Sequence, residues 1–171
     1  MKLTGHGLRQ RLRHRIAFAG NRLARARYFR GHGVHSPFVY NLVREVFMRH
    51  KLLPGDRTLY QALLAAGVPE RRAVQLQNLA IHCRCHNFGM NCADADLCVM
   101  THDVPLSTTL AAVTDACEAG HTIVVLEPYL DSARAELCRR IVAGHRSTSV
   151  DNRAYLLLFN DHFLPKQHFR I

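Results

Sequence analysis

Long apolar runs are missing from this chain of 171 residues. Its longest, Thr122–Leu126 and Tyr155–Phe159, are far too short to span a bilayer. A secretory leader is not expected, because the basic start is followed only by Ile16-Ala17-Phe18-Ala19, shorter than the apolar core of a signal peptide. Acid is missing from residues 1–30, and serine from everything before Ser36. An arginine-rich, acid-free start suits a mitochondrial presequence, but the missing serine argues against one. No Walker loop, G-x-S-x-G elbow or zinc-deaminase signature occurs, and no internal repeat. A soluble, cytoplasmic protein is the expectation, with length for one domain and an appended arm.

The charge that is present is unevenly placed. The chain carries a net charge of +10. Residues 1–30 hold Lys2 and eight arginines, a local charge of +9, while the other 141 residues carry 14 basic against 13 acidic side chains. The body is balanced and the arm is the electrostatic feature. Leu8, Leu12, Ile16, Ala19, Leu23 and Ala26 recur at spacings of four and three, which predicts a narrow apolar helical stripe. Arg9, Arg11, Arg13, Arg15, Arg22 and Arg25 fall on the other faces. A helix of this kind suits nucleic-acid phosphates, an anionic lipid surface or an acidic partner, or docks on the body with its arginines in solvent. Only Phe18, Tyr28 and Phe29 interleave with the arginines, so base stacking is not strongly signalled.

Beyond the arm, Gly31-His32-Gly33-Val34-His35-Ser36-Pro37-Phe38-Val39-Tyr40 reads as a junction. Ser36 suits a helix N-cap and Pro37 the first helical position, with Val34 placed to pack on Tyr40. His35 stands just before the cap, with no nucleophile or paired acid near it in sequence, which favours a structural role. The helix that follows runs through Phe38, Leu42, Val43, Val46 and Phe47 and ends before Leu53-Pro54-Gly55-Asp56. Thr58–Ala66 predicts a short helix burying Leu59, Leu63 and Leu64. From Arg72 the pattern is ambiguous: Ala73-Val74-Gln75-Leu76 can start a strand, while Leu76, Leu79 and Ala80 also fit a helical face.

The second half alternates more clearly. Asp96–Thr101 and Thr122–Leu126 read as buried strands, Leu110–Cys117 and Ser132–Val142 as helices stopped by Gly120 and Gly144. Ser147–Val150 and Tyr155–Phe159 read as a closing strand pair joined through Asp151-Asn152-Arg153. Continuous apolar strands between amphipathic helices imply an α/β fold, a mostly parallel sheet covered on both faces. The organisation expected is a basic helical arm over 1–30, a junction and helix over 31–56, and the α/β domain over 57–171.

Ligands of open parallel sheets bind outside the carboxyl ends of the strands. Thr101-His102-Asp103 and Glu127-Pro128-Tyr129 follow the two clearest strands, so Asp103 and Glu127 are candidates to hold a ribose hydroxyl, a metal or a substrate amine. The plainer alternative is that Asp103 or Ser107, and Asp131 or Ser132, cap the following helices. His82-Cys83-Arg84-Cys85-His86, with Cys92 beyond, offers soft ligands in a single cluster rather than the two separated pairs of a structural zinc site, so no metal is expected. Cys98, Cys117 and Cys138 look like small core residues.

Three segments together resemble a known family: His32–Tyr40 with its H-S-P-F core, the two strand–helix units ending in Asp103 and Glu127, and the tail Lys166-Gln167-His168-Phe169-Arg170-Ile171. In that order they resemble a group of bacterial class I S-adenosylmethionine-dependent methyltransferase-like proteins. The resemblance implies a Rossmann-like sheet, a terminal β-hairpin and S-adenosylmethionine as cofactor. It also implies a first strand ending in an acid and a glycine-rich turn. Ala73–Leu79 takes that place here, with Gln75 where the acid is expected and Gln77-Asn78 where glycine is. Side-chain-bearing residues there block close approach of backbone to cofactor. About fifteen residues separate Leu79 from Asp94, too few for two further strand–helix units. The expectation is a shortened methyltransferase-like domain with a degenerate cofactor site and reduced or no activity. Against it stands a non-catalytic interaction protein working through its arginine arm.

Overall fold

A computed structural model describes residues 36–171. The arginine arm, Val34 and His35 lie outside the described residues. Ser36 Oγ accepts a hydrogen bond from Val39 N at 3.4 Å and Pro37 opens the helix, as the junction reading requires. This helix, α1 (Pro37–Leu42), runs directly into a π-helical turn, Val43–Phe47, closed by Met48 N donating to Val43 O at 2.9 Å. Val39, Leu42, Val43, Val46 and Phe47 face the core from this continuous element.

Helix α2 (Thr58–Ala65) ends where Gly67 adopts a φ of +77°, with Gly67 N bonded to Leu64 O and Val68 N to Leu63 O. That pair of bonds is a Schellman cap, which needs the left-handed residue that glycine supplies without strain. Leu59 and Leu63 are buried, but Leu64 is 40% exposed, contrary to the sequence reading.

The second correction concerns Ala73–Leu79, which is helix and not a first strand. It belongs to α3 (Glu70–His82), buried on every side from Ala73 to Ala80. Gln77 Oε1 accepts from Tyr60 N at 2.9 Å, and Asn78 takes Leu53 N at 2.8 Å while donating to Lys51 O at 2.9 Å. The polar side chains that interrupt the apolar pattern are therefore partners for the irregular backbone between Phe47 and Tyr60.

Six strands form one sheet in the order β1-β2-β3-β5-β4-β6: β1 (Phe88–Met90), β2 (Leu97–Met100), β3 (Thr122–Leu126), β4 (Thr148–Asp151), β5 (Tyr155–Leu158) and β6 (Gln167–Arg170). The first three are parallel, β5 is antiparallel to both β3 and β4, and β6 joins β4 in parallel at the edge. The closing strand pair therefore exists, extended by a third strand drawn from the tail. Helices α4 (Leu106–Glu118) and α5 (Ser132–Gly144) cover one face, packing Ala112, Val113, Leu137 and Ile141 on Ile123, Val125 and Leu158. The elements before β1 cover the other, around Leu97, Val99, Val124 and Leu157. Strands sandwiched in this way are apolar at successive positions, which made them legible.

Parallel neighbours normally need a crossover of about a dozen residues or more. β1 and β2 are joined by 91–96 alone, because a three-residue strand leaves little distance to retrace. The link folds tightly back on β1: a Cβ on Gly89 would stand 2.2 Å from Cys92 Sγ. Among the described residues, no helix is long and apolar enough to cross a membrane.

Candidate functional site

The carboxyl ends of β2 and β3 are pinned together from below. Arg134, on the first turn of α5, is 2% exposed and donates from Nε and Nη2 to Leu126 O at 3.1 and 2.9 Å, and from Nη2 to Thr101 O at 3.0 Å. Asp131 caps the same helix, accepting from Arg134 N at 2.7 Å. Of the two expected caps this one forms. Asp103 is no cap, since α4 begins after Pro105 with no side-chain cap bond.

Above this anchor the chain turns sharply. Glu127 sits at φ +48°, an unfavourable conformation for a side chain of its size. It is held there by Glu127 N donating to Ala154 O at 2.8 Å and by Leu130 N closing a turn on Glu127 O at 3.1 Å. His102 bridges the two candidate carboxylates, with Nδ1 3.0 Å from Glu127 Oε2 and Nε2 3.2 Å from Asp103 Oδ1. Asp103 and Glu127 are thus brought together by His102, the middle residue of the strand-end triplet Thr101-His102-Asp103. Each spends one oxygen on His102 and keeps the other.

These groups line one wall of a pocket of about 800 Å³. Its other walls are the α2–α3 corner with Gly67, Arg72 on α3, the start of α5, and the β4–β5 turn with Arg153 and Ala154. Gln75, expected beside the cofactor, is buried behind this wall. Its Oε1 accepts from Arg72 Nη1 at 2.9 Å and from the Tyr155 hydroxyl at 3.2 Å, while Nε2 donates to Phe47 O at 2.8 Å. Gln75 is thus a support for Arg72 and does not reach the strand ends itself. Burial lowers the pKa of Arg72 and raises that of Tyr155, so the phenol stays protonated.

The carboxyl end of β1 looks different. Asn91, at φ +59°, folds its amide onto Thr101: Oδ1 accepts from Thr101 N at 2.8 Å and Nδ2 donates to Thr101 Oγ1 at 3.0 Å. Asn91 N also donates to Val99 O at 2.8 Å. This end is latched onto Thr101 by Asn91. The cysteines nearby pack as apolar groups, and burial pushes the Cys83 thiol up to about 12 and Cys85 up to about 11. Among the described residues no group of three or more histidine, cysteine or acidic side chains is placed to hold a metal ion.

Sequence reasoning missed Arg72, Arg134 and Tyr155, and named His102 only within the strand-end triplet Thr101-His102-Asp103. Arg134 did leave a signal: with Leu137, Cys138 and Ile141 it completes the buried face of α5. A cation at a position owed to an apolar residue points to a buried polar task. No protein-family model, curated protein or solved structure matches the chain.

Proposed function

We propose that this is a class I methyltransferase-like domain of reduced, Rossmann-like form that has lost its methyl-donor half and kept a ligand pocket. The observation that carries the reading is the contrast between strand ends. The pocket at β2 and β3 is open and lined by Asp103, Glu127 and Arg72, whereas the end of β1 is latched onto Thr101 by Asn91. The antiparallel β5 set between β3 and β4 agrees with the closing hairpin of the family. An intact family member needs backbone to approach the donor through a glycine turn, and here the segment expected to supply it, Ala73–Leu79, is buried helix. The chain binds a small molecule at β2 and β3 and performs little or no methyl transfer. Six free thiols suit a reducing compartment such as the cytoplasm.

Calorimetry with S-adenosylmethionine tests this reading. The expected result is no saturable binding tighter than about 1 mM. Stoichiometric micromolar binding overturns the loss of the donor site.

A second reading rests on the segregated charge, with all of residues 1–30 free of acid. It assigns the arm to an anionic partner, nucleic acid or lipid, independently of the pocket. Affinity for duplex DNA is then expected to fall steeply between 50 and 200 mM salt, roughly in proportion to the phosphates contacted. Anionic vesicles but not neutral ones sediment the protein if lipid is the partner. Binding that ignores salt, or that survives replacing the arm arginines with glutamine, removes this reading.

A further inference from the structure

Arg72 is a half-buried guanidinium on the wall of the pocket, and among the described residues no carboxylate lies within ion-pair distance of it. Its one side-chain hydrogen bond goes to Gln75, whose amide is fixed in orientation by Phe47 O and the Tyr155 hydroxyl. Burial lowers the pKa of Arg72, and an anion arriving at the guanidinium would relieve that cost. On the β2–β3 side, Asp103 and Glu127 each use one oxygen on His102 and have no other side-chain hydrogen bond among the described residues. The same pocket is lined by the apolar side chains of Ala66, Val68, Leu126, Leu130 and Ala135. A volume of about 800 Å³ takes a ligand well beyond a single ion.

We propose that the pocket binds a zwitterionic ligand of amino-acid type: its carboxylate on Arg72, its ammonium on the free oxygens of Asp103 and Glu127, its apolar body on the apolar part of the lining. The proposal rests on the reading of the pocket as a retained ligand site and adds the ligand class. Both charged ends matter because each meets a group that the protein itself leaves incompletely paired. Gln75 is a positioning residue, holding Arg72 at the wall without touching ligand.

Three probes of one skeleton separate the contributions: phenylalanine with both charges, phenylalaninamide with the cation alone, and hydrocinnamate with the anion alone. Calorimetry gives affinities, and amide NMR shifts at Gly67, Glu127 and Ala154 report the place. Phenylalanine is expected to bind there at least tenfold more tightly than either analogue. Arg72→Gln weakens phenylalanine and hydrocinnamate at least tenfold and leaves phenylalaninamide within twofold. Glu127→Gln does the reverse, weakening phenylalanine and phenylalaninamide while sparing hydrocinnamate, and tests the proposal even where Arg72→Gln lowers stability. Equal affinities for the three probes, no binding of phenylalanine, or shifts confined to other surfaces overturns the proposal. A parallel titration with S-adenosylmethionine keeps the two failures apart. Tight donor binding alongside the expected probe pattern leaves the ligand class standing and removes the lost-donor reading; failure of the probes without donor binding removes the ligand class alone.

Discussion

Glu127 occupies a backbone conformation that suits glycine better than glutamate, and the left-handed turn aims its carboxylate at the mouth of the pocket. Strain of this kind costs on the order of 1–3 kcal/mol and persists where surrounding bonds over-determine it, here Ala154 O and Leu130 N. Glu127→Gly is expected to leave stability unchanged or raise it by about 1 kcal/mol, since relief of strain offsets the extra freedom of glycine in the unfolded chain. The same variant loses affinity for a cationic ligand group. A urea titration together with a phenylalaninamide titration reads both effects. His145 offers a second test at this scale. Its Nε2 is 3.0 Å from Phe159 O, Cys117 Sγ lies 4.0 Å from Nδ1, and burial, helped slightly by the charge of Lys166, lowers its pKa from 6.5. The unfolded chain therefore binds a proton at a pH where the folded one does not. The contribution is complete above about pH 6.5 and is lost as pH falls from there toward the folded value. His145→Gln, which keeps a donor for Phe159 O, should flatten that part of the stability–pH curve between pH 7 and 5.

The central strands and the two helices on one face were written plainly in the sequence, whereas the edge strands β1 and β6 and the helix that holds irregular backbone were not. β2, β3, α4, α5 and the β4–β5 pair follow apolar periodicities, and Ser36-Pro37 marked the start of α1 from two residues. α3 escaped because it is enclosed on all sides, so no polar face reveals its period, and its polar residues answer to distant backbone groups. Asn78 is the clearest case. Asn78→Ala leaves Leu53 N and Lys51 O without their partner, and is expected to cost about 2–4 kcal/mol, read from the denaturation midpoint. An exposed Gln61→Ala on α2 serves as the control, within about 0.5 kcal/mol of the parent protein. The candidate site was legible to the same degree. Asp103, Glu127 and His102 stand where the rule about strand ends points, while Arg72 depends on the fold bringing α3 to that edge.

At the scale of the whole molecule, the sheet reconciles two faces of apolar packing with one open edge, and the site occupies that edge between units contributed by both halves of the chain. Its order also has a consequence for how the protein is made. β5 lies near the middle of the sheet but follows β1–β4 in the chain, and until it is synthesised β3 has no partner on that side. Ile123, Val124, Val125 and Leu126 then form an all-apolar free edge, the kind that pairs with other chains. A chain ending at Asn152 is expected to sediment as aggregate at concentrations where the full chain remains dispersed, and adding back a peptide spanning 153–171 should reduce that loss. A nascent chain stalled before Tyr155 carries the same liability, so a strand translated after β1–β4 is the one that makes β3 safe.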